Sequence, residues 1–188
     1  MKKLNFIFTV FAFVALTTGS ALAQTDIDAS AEVRANLAVA QEQETNFGLV
    51  DNVFSSDPEL DPSDGANTNI IDDADVTVGL VSVAGTGDQT VTVGQVANIT
   101  LQESGSGPEI IFAPTLNWTY DNLTTGGPTN PELGTNATGT FDMTLDGTTQ
   151  DDDGTNTILI GGTLSETESA DLPPGDYTGT GSIDVNYQ

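Results

Sequence analysis

Along most of this chain, apolar residues recur at every second position in short runs, with turn-forming residues between the runs. Alternation with period two marks strands that bury one face and wet the other. It predicts strands at 31–39 (AEVRANLAV), 45–50 (TNFGLV), 75–83 (DVTVGLVSV), 89–93 (QTVTV) and 96–102 (VANITLQ). Further strands are predicted at 109–120 (EIIFAPTLNWTY, interrupted by Pro114), 138–145 (TGTFDMTL), 157–165 (TILIGGTLS) and 176–187 (DYTGTGSIDVNY). Stretches such as SGSGP, TTGGPTNP and DDDGTN separate them, as tight connections require. About seven to nine strands with few helical stretches predict an all-β, immunoglobulin-like sandwich. A closed barrel is the alternative.

Two segments depart from the simple pattern. DASAEVRANLAVAQEQE is rich in helix formers, places Asp28 where an N-cap would stand, and sets Val33 and Leu37 one helical turn apart. Yet Ile27, Ala29, Ala31, Val33, Ala35, Leu37 and Val39 also alternate, and a molecule made of sheets offers edges for such a strand to join. Strand is therefore the expectation. Residues 51–73 hold Asp57, Glu59 and Asp61 at alternate positions, together with Pro58 and Pro62, and predict a long acidic surface loop.

The first 23 residues have the layout of a secretory signal: Lys2 and Lys3, an apolar run, then SALA as a small-residue cleavage site. The apolar core is short for a bilayer span of about 20 residues. Cleavage after Ala23 is expected, leaving residues 24–188 as one sandwich domain that is secreted to the periplasm, cell surface or medium. Both lysines leave with that segment, so Arg34 then stands against 28 acidic residues, a formal charge of −27. Phosphate backbones and anionic headgroups find no cations on such a surface, so neither nucleic acid nor membrane insertion is expected. Cysteine and histidine are absent, which removes disulfides, thiolate chemistry and the usual proton shuttle.

The carboxylates are the remaining candidates for chemistry. A glycosidase needs two of them, one desolvated enough to hold its proton, generally in an aromatic-lined cleft. Here they cluster in turns and on outward positions, and Trp118 is the single tryptophan, so no enzyme activity is expected. In TTQDDDGTNT (148–157), Thr149, Asp151 and Asp153 alternate before Gly154, a spacing able to wrap oxygens round calcium. The run departs from an EF-hand at its first ligand and has Ile160 where the twelfth-position acid would be. Asp151 and Asp153 are thus candidate calcium ligands, with an ordinary solvated turn as the competing reading; no other cofactor is expected. The four Asn-x-Thr sequons, at Asn98, Asn117, Asn122 and Asn136, follow from a threonine-rich composition and carry no assignment.

The chain ends in mid-pattern. Tyr177, Ile183, Val185 and Tyr187 fall on one face of the last predicted strand, Gly175 is fourteenth from the end, and Tyr187 is penultimate. This resembles the C-terminal signature of subunits assembled by the chaperone–usher route. The resemblance implies a pilin-like sandwich lacking one strand. A periplasmic chaperone would lend that strand until the N-terminal extension of another subunit replaced it. Gly175, Tyr177, Ile183, Val185 and Tyr187 would then form the assembly strand. Ile27, Val33, Leu37 and Val39 would be donor residues on a segment that spans about 43 Å when extended. Gly179 and Gly181 would leave room for such guests; the simpler reading makes them a bulge or a close backbone approach. The order NFGLVD (46–51), then LIGGTLSETESADLPPGDYTGTGSIDVNYQ (159–188), is similar to the bacterial secreted family filed as domain of unknown function 4402, grouped with spore-coat-U-like and pilus-like sandwiches. The lack of the cysteine pair found in many pilus subunits is a departure.

The expected role is that of a secreted structural subunit, pilus-like or part of a surface coat, that pairs with itself or with related subunits by strand addition. A solitary calcium-dependent adhesion or glycan-binding module is the alternative, and a secreted glycosidase a distant third.

Overall fold

From Asp153 to Glu166 the chain runs as one strand of 14 residues, and the first of two sheets is built around it. Its centre, Ile158-Leu159-Ile160, is apolar at consecutive positions, the pattern of a strand covered on both faces. Ile158 and Leu159 are fully buried. The computed structural model describes residues 35–103, 107–120, 123, 137–147, 153–167 and 171–188. The predicted leader and the expectations at Ile27, Val33 and Asp151 lie outside the described residues.

In chain order the strands are β1 (Ala38–Gln43), β2 (Glu59–Leu60), β3 (Asn67–Thr68), β4 (Gly79–Thr86), β5 (Thr90–Val93) and β6 (Ile99–Glu103). Then come β7 (Glu109–Thr119), β8 (Phe141–Thr144), β9 (Asp153–Glu166), β10 (Tyr177–Thr178) and β11 (Val185–Tyr187). The first sheet has the order β1-β4-β9-β7-β6-β10, with β2 also against β9 and β3 against β2; the second is β11-β5-β8. The pairings are antiparallel, and among the described residues there is no helix. The fold is an all-β sandwich. Among the described residues it has eleven strands rather than seven to nine because β2, β3, β10 and β11 are pieces of two or three residues.

One flank of β9 is occupied from Thr157 to Glu166 by β7, in unbroken register from Ile110↔Glu166 to Thr119↔Thr157. The other flank is shared, with β4 along Asp153–Ile160 and β2 at Gly162 and Thr163. Pro114 sits inside β7 where a central strand ordinarily excludes proline. The position tolerates it because β6 pairs no further than Phe112 and the bridge from Ala137 begins at Leu116, so among the described residues only β9 flanks Pro114.

Cross-strand partners share a face, so the register places Val81, Val83 and Ile158 on one side of the first sheet. That side meets Val91, Val93 and Met143 of the second sheet to form a valine-rich cluster. Asn156 lies among them fully buried and joins the layers: its Oδ1 accepts the Asp146 amide and its Nδ2 donates to the Thr144 carbonyl. A second cluster gathers Phe47, Leu60, Leu80, Phe112, Leu159 and Leu164. Here the cover is irregular chain rather than a sheet.

Several expected boundaries are corrected. Residues 45–50 make bridges at Asn46 and Leu49 but no strand. The loop 51–73 contains β2 and β3, joined by a turn in which Gly65 donates to the Asp61 carbonyl. The described part of the N-terminal strand is shifted from 31–39 to 38–43. The last strand is two.

Candidate functional site

The C-terminal run was expected as one ribbon with a single apolar side. Instead, it visits both sheets. Gly175 lies in a bend, close against the Glu103 carboxylate. Tyr177 opens β10, opposite Glu103 at the end of the first sheet. Its ring is half-buried against the leucine and phenylalanine cluster, and its hydroxyl donates to the Pro173 carbonyl at 3.1 Å. Loss of hydration raises the Tyr177 pKa above the ordinary 10.0, and the neighbouring Glu103 carboxylate raises it further.

Between residues 179 and 184 the chain leaves that sheet. A side chain at Gly179 would strike the Thr100 carbonyl and Leu101, and one at Gly181 would strike Ile99. The two glycines are therefore places where backbone presses on β6, and the space is filled by Ile99 and Leu101. A run with hardly any side chain to anchor a pleat gives way at this point. Pairing resumes when Gly94 donates to the Asp184 carbonyl at 2.7 Å, followed by Val185↔Val93 and Tyr187↔Val91. Ile183, Val185 and Tyr187 pack against the valine-rich cluster, separately from Tyr177. Gln188 is also held, its amide donating to the Thr90 carbonyl. Both pieces are terminal strands of their sheets, so the ending occupies edges and not a central pairing position.

Sequence reasoning singled out Tyr187 but missed what it touches. Its hydroxyl accepts the Thr86 amide at 2.7 Å and donates to the Ala35 carbonyl at 3.0 Å. The Ala35 amide in turn donates to Thr86 Oγ1 at 2.6 Å. Gly85 makes the crossing feasible, because a Cβ there would collide with the tyrosine hydroxyl and crowd Leu37 and Leu145. Three segments, the last strand, the end of β4 and the entry to β1, thus meet at one phenol. Their partners stand 101 and 152 positions apart in sequence, too far for any local pattern to announce them.

Two of the candidate donor residues are described. Leu37 is half-buried in the valine-rich cluster of its own chain. Val39 pairs with Val83 in β1, yet is 42% exposed. Residues 38–43 are thus a strand of their own sandwich, paired with β4. β1 is the terminal strand of the first sheet, and five of its six residues are exposed. A bulge between Gln41 and Gln43 interrupts its register.

Of the calcium candidates, Asp151 lies outside the described residues and Asp153 opens β9 opposite Thr86. Among the described residues no three acidic side chains stand together as metal ligands would. A shallow cavity of about 260 Å³ lies between Gln43, Asp64, Thr77 and the apolar walls of Leu60, Val76 and Val78. Its one carboxylate, Asp64, accepts the Ala66 amide at 2.8 Å. No described helix is long and apolar enough to cross a membrane. Comparison with protein-family models, curated proteins and solved structures finds no match to this chain.

Proposed function

We propose that this chain is a secreted structural subunit, pilus-like or part of a surface coat, that associates by adding a strand to a sheet edge. The observation that carries the reading is β1, an edge strand exposed at five of its six residues and lying beside the mostly buried β4. Such an edge presents a row of main-chain donors and acceptors to another chain. In strand addition the ladder supplies affinity and alternate side chains supply specificity. Glu42 and the bulge at Gln41/Gln43 blunt the far half of β1, so Ala38–Gln41 is the stretch suited to pairing. The likeness of both chain ends to pilus-like sandwiches supports the same role.

Without the leader and its two lysines the chain carries a formal charge of −27, which repels copies of itself, and the repulsion falls as salt shortens its range. Association is therefore expected to strengthen with ionic strength. The test is electrophoresis of cell-surface extract with and without boiling. A ladder that collapses on heating is expected; a single monomer band in both lanes refutes the reading.

A further inference from the structure

We propose that the Tyr187 hydroxyl is a catch that holds the entry to β1 on its own domain, and that opening it frees the N-terminal strand for exchange between copies. The catch stands on the geometry of three hydrogen bonds; its use in exchange rests on the assembly reading above. Ala35 is tied at both its amide and its carbonyl, one to Thr86 Oγ1 and the other to Tyr187. Leu37, two residues on, is half-buried in the valine-rich cluster. Beyond it five of the six residues of β1 are exposed, and β4 is its described partner strand. Leu37 and the phenol are thus the anchors of this segment in the interior. Removing the hydroxyl leaves the Thr86 amide and the Ala35 carbonyl without that partner while keeping the ring in its place. Such a loss destabilises the closed form without emptying the core.

The sequence supplies its own reporter. Its three cationic residues are Lys2, Lys3 and Arg34, so trypsin has one cut near the folded body, at Arg34–Ala35. Cleavage there needs Ala35 and the residues after it to leave their partners, and native-state proteolysis follows the population of such openings. The purified protein, Tyr187→Phe and Thr86→Val would be digested in native buffer and followed by mass. Tyr177→Phe serves as control, because it deletes a hydroxyl from the other terminal strand. Slow cleavage of the parent is expected, with Tyr187→Phe faster by about tenfold, Thr86→Val faster as well, and the control within about twofold of the parent. A Tyr187→Phe rate within twofold of the parent overturns the catch, as does an equal rise in the control, which would signal general loosening. Size-exclusion chromatography of the same samples judges the assembly reading separately. If Tyr187→Phe is cut faster but forms no more oligomer, the catch stands and exchange through this strand is refuted.

Discussion

The molecule has two interiors built by different means. Between the sheets, Val81, Val83, Val91, Val93, Met143 and Ile158 come from neighbouring strands at every second position. Their β-branched side chains suit a pleated surface, and the layers close over them as sheet against sheet. The other interior depends on Phe47, Leu60, Leu80, Phe112 and Leu159, and much of its cover comes from the irregular segment 44–78. Phe47 meets Phe112 edge to face, with ring centres 5.4 Å apart. Each interior also takes one of the two terminal tyrosines, Tyr187 in the first case and Tyr177 in the second. A sheet cover holds all its members together; a loop cover can lift piecemeal. Stability should therefore be global in one interior and local in the other.

The sharpest test of that contrast is Met143→Ala. Met143 is 1% exposed, in β8 opposite Val91, and truncation of such a side chain costs about 2–5 kcal/mol. The urea midpoint should fall with the slope unchanged, and amide exchange should quicken in both sheets alike. A loss below about 1 kcal/mol would show that the sheets are clamped elsewhere. A milder probe is Phe47→Leu, which keeps an apolar side chain but deletes the edge-to-face pair, about 0.5–1.5 kcal/mol. Exchange should quicken in 44–78 while β5 and β8 keep their protection. Equal loosening of β5 and β8 would mean that the two interiors unfold as one, and the contrast would fail.

The same difference explains what could be read from the chain beforehand. Where sheet faces sheet, alternation is enforced, so β5, β7 and β9 fall within a few residues of their predicted bounds; even Pro114 did not hide β7. Under the irregular cover, Leu60 is buried by tertiary contacts that leave no periodic trace. β2 and β3 therefore went unseen inside a stretch rich in Asp and Pro. The last strand was misread for a further reason. Period-two counting assumes an unbroken pleat, and Gly179 and Gly181 take the backbone onto Ile99 and out of the first sheet. Parity alone put Tyr177 with Tyr187. Around Tyr187, sequence reading singled out the tyrosine but not its partners Thr86, Gly85 and Ala35, which long-range closure brings to it.

The smallest expected effect is the pH dependence contributed by Tyr177. The Tyr177 pKa is raised by its desolvation and, secondarily, by Glu103. In the unfolded chain the same phenol ionises near the ordinary value of 10.0. Between that value and the raised one, the unfolded state has released a proton that the folded state keeps. The folded state then binds more protons, so stability falls as pH rises through this window. Below the ordinary value the contribution is fully present, and above the raised value it is gone. Ionisation also removes the donor to the Pro173 carbonyl, which acts in the same direction. Tyr177→Phe cannot ionise, so its urea midpoint should decline less steeply from about pH 9 to about pH 11 than that of the parent. The phenylalanine variant lacks the Pro173 hydrogen bond at every pH, so the slope is the informative quantity and not the starting midpoint. Parallel slopes would show that this edge tyrosine is as wet when folded as when unfolded, and that β10 does not press it against the cluster beneath.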